Sequence, residues 1–505
     1  MKAIWQKLHN IGDILHLPDM PHWLIGLIAL VLVLRIPSFF EPYYYGDEMI
    51  YMSLGTGVRQ GLTLYKDIYD NKPPLLYLTA AVAGSLFWFK AILAFWNLAT
   101  IYIFYKLAEK LFPKNEKAQK IATVIMAILT TIPLLEGNIV NAELFMIGPS
   151  ILAFLLLLSD KLNIKKIFMA GALFGIAALF KIPAAFEMPV VIAFWFFSLT
   201  KSGWKEFIKN SIALTVGFAF PIVLTFIWYF FKGALNEYIS AAFMQNVGYV
   251  SSWQFGKTQA PFLVRNAHLL IRGGVVVSGY VILFLSRKKL SPRFLFLATW
   301  VLFALFGVAL SERPYPHYLI QVVPVVSLFL ATFFAEKSYE QSLVVIPLAL
   351  TLFVPVYYHF WFYPTSTYYV RFLNFAAGRM SKDAYFNDFA PTVTRNYQIA
   401  DFLINSAGKN DHVFMWDPDS PTVYALSRRL PTIKYVANYH VLDYSTTEEV
   451  VKELSINPPK FIVLTSESPL PPISPLLKKG YLKIQQIDNA EIWSRVYNSG
   501  NATKR

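Results

Sequence analysis

YYYGDEMIYMSLGTGVRQGLTLYKDIYDNKPPLLYL, residues 43–78, is a polar, aromatic, charge-bearing stretch set between apolar ones. It opens on the paired acids Asp47-Glu48 and closes on Lys72-Pro73-Pro74. Upstream, an apolar run begins at Trp23. Downstream, apolar runs of about 17–22 residues recur as far as Phe362, the length that crosses a hydrocarbon core as a helix. The 505-residue chain is 56% hydrophobic and only 15% charged, against about 25% charged in a soluble protein. From about Tyr363 onward the composition is that of ordinary soluble protein. The expectation is therefore a polytopic α-helical membrane protein with a C-terminal soluble α/β domain.

Eleven candidate spans are predicted: 23–40, 89–109, 120–136, 143–159, 166–180, 183–199, 211–231, 269–285, 293–310, 318–334 and 342–361. Segment 74–88 is apolar but short, and reads as re-entrant or as part of the second span. The first run starts too late, and lacks a small-residue cleavage site, to be a removed signal. With the N-terminus inside, the inner connections and their flanks carry about eighteen Lys and Arg, and the longer outer connections about eight. Lys161–Lys166 and Arg287-Lys288-Lys289 make the bias blunt. The N-terminus is thus expected in the cytoplasm and the C-terminal domain outside, in the plasma membrane. The net charge of +14 reads as this topology rather than as nucleic-acid binding. The chain has no cysteine, which excludes disulfides, thiolate metal sites and cysteine nucleophiles.

On this topology the polar stretch 41–73, the segment Glu136–Glu143, the loop 232–268 and the segment Ser311–Tyr318 all face outward. Asp47 and Glu48 sit among Tyr43, Tyr44, Tyr45 and Tyr51, rings suited to the headgroup region. Arg35, near the outer end of the first span, reads as a snorkelling anchor, as an orienting partner for Asp47 or as a headgroup contact. Pro73-Pro74 fix the backbone and present Lys72 at a rigid turn. Asn141-Ala142-Glu143 opens the fourth span, Lys181 lies in an outer turn, and Arg313 and His317 precede the tenth span. Ionisable residues at span ends are commonly anchors. Several converging on one face ask for a substrate with a buried lipid tail, a phosphate at the interface and a reactive group beyond it.

At these residues the sequence resembles the GT-C membrane glycosyltransferases, in particular the superfamily of protein O-mannosyltransferases and lipid A aminoarabinose transferases (glycosyltransferase family 39/83-like). The carrying features are Asp47-Glu48, Gly61–Asp67, Asp70–Leu75, Asn141-Ala142-Glu143, the Gly171–Lys181 segment with the following Ile182-Pro183, and His317–Gln321 with Pro324. They cover about residues 20–350. The resemblance implies a GT-C fold and an inverting transferase of hexosyl or pentosyl type. Such an enzyme moves a sugar from a polyprenyl-phosphate donor to a lipid, polysaccharide or protein hydroxyl on the outer face of the membrane. It implies Asp47 as the catalytic acidic residue, the base that takes the acceptor's proton, with Glu48 secondary. Lys72, Arg313, His317, Arg35 and Lys181 would meet the donor phosphate, and Glu143, Asn141, Tyr65 and Asp70 would position the acceptor. Some relatives hold a divalent metal through a Glu directly before Lys-Pro-Pro and a distant His. Here that position is Asn71, so no obligate metal is expected, although His268 and His317 leave one open. The alternative function is a lipid-linked-sugar transporter or flippase, for which polar or broken helices near the midplane would be required.

Residues 1–362 are expected to form the catalytic membrane domain, with 41–88 its first outer loop. Residues 363–390 form a connector or lid, and 391–505 the outer α/β domain. In the last, helices are predicted over 391–407, 420–428 and 446–455. Strands are predicted over 411–416, 432–437 and 461–465, with a terminal hairpin at 481–487 and 490–496. Nothing in it reads as catalytic. Its expected work is acceptor recognition or covering the site. Gly171 and Gly175 form a GxxxG suited to packing within the chain. His9, His16 and His22 lack metal spacing, and Asn501-Ala502-Thr503 is a formal glycosylation acceptor of little weight.

Overall fold

The computed structural model describes residues 20–159, 161–200, 202–245, 261–310 and 313–496. His9, His16, Ser311, Glu312, most of the 232–268 loop tip and Asn501–Thr503 lie outside the described residues.

Each of the eleven apolar segments is helical. Among the described residues six are long and apolar enough to cross a membrane: His22–Phe40, Leu86–Leu111, Trp204–Phe231, Ala267–Ser286, Pro292–Ala309 and Tyr339–Tyr357. Ala142–Leu157, Ile182–Phe197 and Val323–Ala335 are shorter apolar helices. Gly171 and Gly175 let the Ile164–Phe180 helix lie against the Trp204–Phe231 helix. A Cβ at Gly171 would meet the Leu214 carbonyl oxygen at 2.1 Å, and one at Gly175 the Phe218 oxygen at 2.3 Å. The GxxxG therefore packs two helices of one chain.

Four segments between the apolar helices tighten into short 3-10 turns, each with a proline at its first or second position. They are Ile36–Phe40, Pro133–Leu135, Ile182–Glu187 and Pro316–Gln321. Proline removes a backbone donor and blocks the preceding turn. Irregular backbone at membrane depth is tolerated where protein or a water-filled cavity surrounds it. Glu41, Glu136, Lys181 and His317 all sit in or beside these breaks.

The first loop is itself folded. Gly46–Arg59 is a helix, as is Leu75–Ala83. Gly84, at φ 66°, ends the second of these, and the Ser85 hydroxyl caps the Leu86–Leu111 helix. Segment 74–88 is thus a separate helix followed by the start of a span. It packs back on the loop helix at Gly55, where a Cβ would lie 2.7 Å from the Ala81 nitrogen.

The connector carries helices Thr365–Ala376 and Lys382–Asn387. The Tyr368 hydroxyl donates to Glu41 and that of Tyr369 to the Leu34 carbonyl, which seats the connector over the end of the first apolar helix and the start of the first loop.

Beyond it lies a four-stranded mixed sheet: β1 (Val413–Trp416), β2 (Phe461–Thr465), β3 (Tyr481–Ile487) and β4 (Ala490–Arg495), in the order β1-β2-β4-β3. β1 and β2 are parallel, while β4 pairs antiparallel with β2 and β3. Helices occupy Val393–Ser406, Ser420–Ser427 and Thr447–Ile456. The expected strand at 432–437 is a correction. No sheet strand forms there. Its backbone instead pairs with the first loop, the Tyr69 N–H donating to the Lys434 carbonyl at 2.9 Å. The apolar–polar alternation marked a segment that seeks a backbone partner, and that partner lies more than three hundred residues upstream.

Candidate active site

The Gly46–Arg59 helix begins at the Tyr45 cap, so Asp47 and Glu48 fall in its first turn. Carboxylates are favourable at that positive end. Successive residues on a helix point about 100° apart, and the two acids part company. Asp47 faces a cavity of about 540 Å³, which is also lined by Lys72, Glu143, Lys181, Arg313 and His317.

Asp47 Oδ2 accepts from the Tyr51 hydroxyl at 2.9 Å and lies 3.8 Å from Lys72 Nζ. Burial would raise the Asp47 carboxyl, but Lys72 and then His317 outweigh it and hold it below its ordinary range. It stands as a carboxylate. Lys72 is fixed through its backbone. Its N–H donates to the Tyr77 hydroxyl at 3.1 Å, and its carbonyl accepts from the Tyr65 hydroxyl at 2.9 Å. Tyr65 itself has φ 73° and is buried, so the turn before Pro73 is tightly specified. Lys72 Nζ also lies 3.8 Å from Asp70 Oδ2 and 5.1 Å from the centre of the Tyr51 ring.

A second cluster closes the cavity. Lys181 pairs with Glu143 and sits 3.7 Å from the centre of the Tyr318 ring. His317 Nδ1 pairs with Glu136, and its Nε2 lies 3.9 Å from Glu143. Glu136, in the left-handed conformation at φ 58°, also accepts from the Tyr45 hydroxyl and the Asn141 amide. Aromatic walls come from Tyr315, Trp361 and Tyr363, and the Asn438–Tyr444 helix adds Tyr439, His440 and Asp443.

Of the residues singled out from sequence, Asp47, Lys72, Arg313, His317, Lys181 and Glu143 meet in this one cavity. Four others stand behind it. Asn141 holds Glu136, Tyr65 holds Lys72, and Asp70 pairs with Lys72 and His440. Glu48 is fully buried, 2.6 Å from Lys90 Nζ, and accepts from the Val140 N–H. Burial pushes its carboxyl up, against Lys90. Glu41 shares the same lysine at 2.8 Å and is held by Asn138. Glu48 therefore points away from the cavity, where its expected catalytic placing would have put it, and into the interior.

Arg35 requires the second correction. It is 1% exposed and donates to the Thr130 carbonyl at 3.0 Å, so it joins two helices instead of facing the cavity. His268 is exposed on its helix and is not among the cavity residues. Asn71, where a relative's metal ligand would stand, donates to the Tyr444 hydroxyl at 3.0 Å. Among the described residues no group of three or more His, Asp or Glu is placed to hold a metal.

Sequence reasoning missed Glu136 as an anchor for His317, and His440, Asp443 and Tyr439 as cavity residues. Glu136 carried a usable signal in its place between two spans. The other three carried none, because they reach the cavity only through the docking of the C-terminal sheet region.

No family model matches the chain, and no curated protein matches it. Solved structures match in fold. ArnT from Cupriavidus metallidurans in the apo state aligns with TM-score 0.58 and 14% identity, over 94% of this chain and 98% of that one. The same protein bound to undecaprenyl phosphate gives TM-score 0.56 at 14% identity and the same coverage. The archaeal oligosaccharyltransferase AglB from Archaeoglobus fulgidus aligns over 95% of this chain and 75% of that one. Its 13% identity and TM-score of 0.45 are too loose to argue from. The chain is a polytopic helical membrane protein with the GT-C fold of ArnT.

Proposed function

We propose that the protein is an inverting glycosyltransferase that takes a sugar from a polyprenyl-phosphate donor and places it on an acceptor hydroxyl at the outer face of the membrane. The observation that carries this reading is the cavity itself, which the Asp47 carboxylate lines together with the cations Lys72, Lys181 and Arg313. That ArnT, of the same fold, has been crystallised with undecaprenyl phosphate supports a lipid phosphate as the anionic partner.

The chemistry is a single displacement. The acceptor oxygen forms a bond to the anomeric carbon as the bond from that carbon to the phosphate oxygen breaks. The hydroxyl proton passes to Asp47, and the electron pair leaves with the polyprenyl phosphate. Lys72 and Arg313 offset the charge growing on the departing phosphate. Lys181, set on the Tyr318 ring and paired with Glu143, is a further cation at the same wall. Glu136 orients His317 through Nδ1, which leaves Nε2 turned toward Glu143. An attack opposite the leaving group inverts the centre.

The topology that accompanies this reading puts the N-terminus inside, eleven crossings in 1–362, and the connector and 391–505 outside. The test is transfer by purified protein in vesicles, given a labelled polyprenyl-phosphate sugar and cell-envelope extract. Label appears in an acceptor with wild type and not with Asp47→Asn of equal folded yield. Normal turnover by that variant would remove the mechanism, and flux of donor without transfer would favour a transporter.

A further inference from the structure

The loop that carries Lys72 is gripped from the C-terminal region at three successive residues. The Tyr69 N–H donates to the Lys434 carbonyl at 2.9 Å. The Asp70 carboxylate meets His440 Nε2 at 3.2 Å. The Asn71 amide donates to the Tyr444 hydroxyl at 3.0 Å. Rings reinforce the grip, with Tyr69 5.1 Å from Tyr435, 5.8 Å from His440 and 5.3 Å from Tyr444, centre to centre. Asp70 is fully buried, and its other oxygen faces Lys72 Nζ at 3.8 Å.

We infer that His440 is a positioning residue for the donor phosphate, acting through Asp70 on Lys72, so that the C-terminal region completes the phosphate-binding wall of the cavity. The inference rests on the glycosyltransferase reading and deepens it. Asp70 has one carboxylate and two claimants. While His440 and the Asn71 N–H occupy Oδ1, the group cannot rotate to take Lys72 as a close ion pair. A contact of 3.8 Å is beyond a direct hydrogen bond. Removing the imidazole leaves Oδ1 with the Asn71 N–H alone, in a buried site where losing a hydrogen bond to a carboxylate is costly. The nearest remedy is for Asp70 to close on Lys72 and draw its ammonium away from an incoming phosphate. His440 Nδ1 is buried without a hydrogen-bond partner among the described residues. Among the described residues the Asp70 contact is therefore the ring's one polar tie, and the loop is what it serves.

The experiment measures binding of undecaprenyl phosphate to the full-length protein in detergent, independently of transfer, and then transfer kinetics. His440→Ala should weaken binding by about tenfold, the scale of one charge-assisted hydrogen bond. In transfer it should raise KM for the lipid donor more than it lowers kcat. His440→Gln, whose amide can still donate to Asp70, should recover most of the binding. A merely structural His440 would lower folded yield equally in both variants without this split. Tyr444→Phe, which releases Asn71 on the same loop, is the second variant should His440→Ala fold poorly. It should weaken binding in the same direction. If Lys72→Ala loses the lipid phosphate while His440→Ala and Tyr444→Phe bind as wild type, the inference falls and the enzyme reading stands. If wild type itself does not bind undecaprenyl phosphate, that reading fails and takes the inference with it.

Discussion

Lys72 Nζ lies 3.8 Å from Asp47 Oδ2, across a cavity that both residues line. Twenty-four intervening residues form a buried helix and a tight turn, so the two groups meet through folding of the first loop and not through sequence proximity. A carboxylate and an ammonium at this separation attract, yet each keeps room for a second partner. A hydroxyl that donates to the carboxylate and an anionic phosphate that meets the ammonium are partners of the right kind.

Asp47→Asn should remove the proton acceptor while keeping the Tyr51 contact and the helix start. Transfer should fall by about 10²–10⁴-fold, the range for loss of a positioned general base. Binding of undecaprenyl phosphate should persist, because removing a negative charge beside Lys72 does not disfavour an anion. Single-turnover kinetics alongside equilibrium binding separate the two effects. Parallel loss of binding and turnover would point to a folding defect instead.

On the proposed mechanism Asp47 should set the acid side of the pH profile. Burial raises its carboxyl, but Lys72 and His317 prevail, and the net shift is downward from 3.8. A carboxyl lowered on folding contributes stability above its unfolded pKa, and that contribution is lost as pH falls through the folded value. The same holds for the active carboxylate. The acid limb of kcat/KM should therefore lie below the ordinary carboxylate range. Lys72→Met removes the main lowering influence, leaving burial less opposed, and should move that limb to higher pH. A limb that stays in place in Lys72→Met would separate Asp47 from the observed titration.

The membrane helices, the first-loop site and most of the C-terminal elements were legible because each rests on local pattern. Apolar runs of crossing length, Asp47 before a helix and Lys72 before Pro73-Pro74 are all short-range signals. What failed was direction. Arg35 ends its helix pointing inward to the Thr130 carbonyl, a matter of helical phase that span boundaries do not resolve. Glu48 follows Asp47 in sequence but is turned to the interior by the same helix. Segment 432–437 has the periodicity of a strand, and only the tertiary fold reveals that its partner is Tyr69. His440 illustrates the same limit. A lone histidine among apolar residues gives no hint that it will meet Asp70.

The interior face of the loop helix makes a separate prediction. Lys90 is buried with Glu48 at 2.6 Å, Glu41 at 2.8 Å and the Asn138 carbonyl at 3.0 Å. Lys90→Met would leave two buried carboxylates with no cation between them. Breaking such a pair costs about 3–5 kcal/mol. Thermal unfolding in detergent should show a large fall for Lys90→Met and a smaller one for Glu48→Gln, which still leaves Lys90 paired with Glu41. The mark of a scaffold is that loss of folded protein outpaces loss of turnover per folded molecule. A Glu48→Gln enzyme that folds normally but does not turn over would return Glu48 to the chemistry.

The absence of cysteine gives the topology a clean test. Lys288, in the turn between two apolar helices, and Lys382, on the connector, are both exposed. Neither touches the cavity, so Lys288→Cys and Lys382→Cys should fold and act as wild type does. In intact cells a membrane-impermeant thiol reagent should label Lys382→Cys and spare Lys288→Cys. Permeabilised cells should label both. The argument is electrostatic, since the Arg287-Lys288-Lys289 cluster is the kind of short basic loop retained on the cytoplasmic side. Because the cavity shares the Asn438–Tyr444 helix with the region that follows the connector, the side labelled at 382 is the side from which donor and acceptor must arrive. Labelling of Lys288→Cys in intact cells, with protection of Lys382→Cys, would place the cavity on the cytoplasmic face. The need for a lipid-carried sugar would then vanish, because nucleotide sugars are available there.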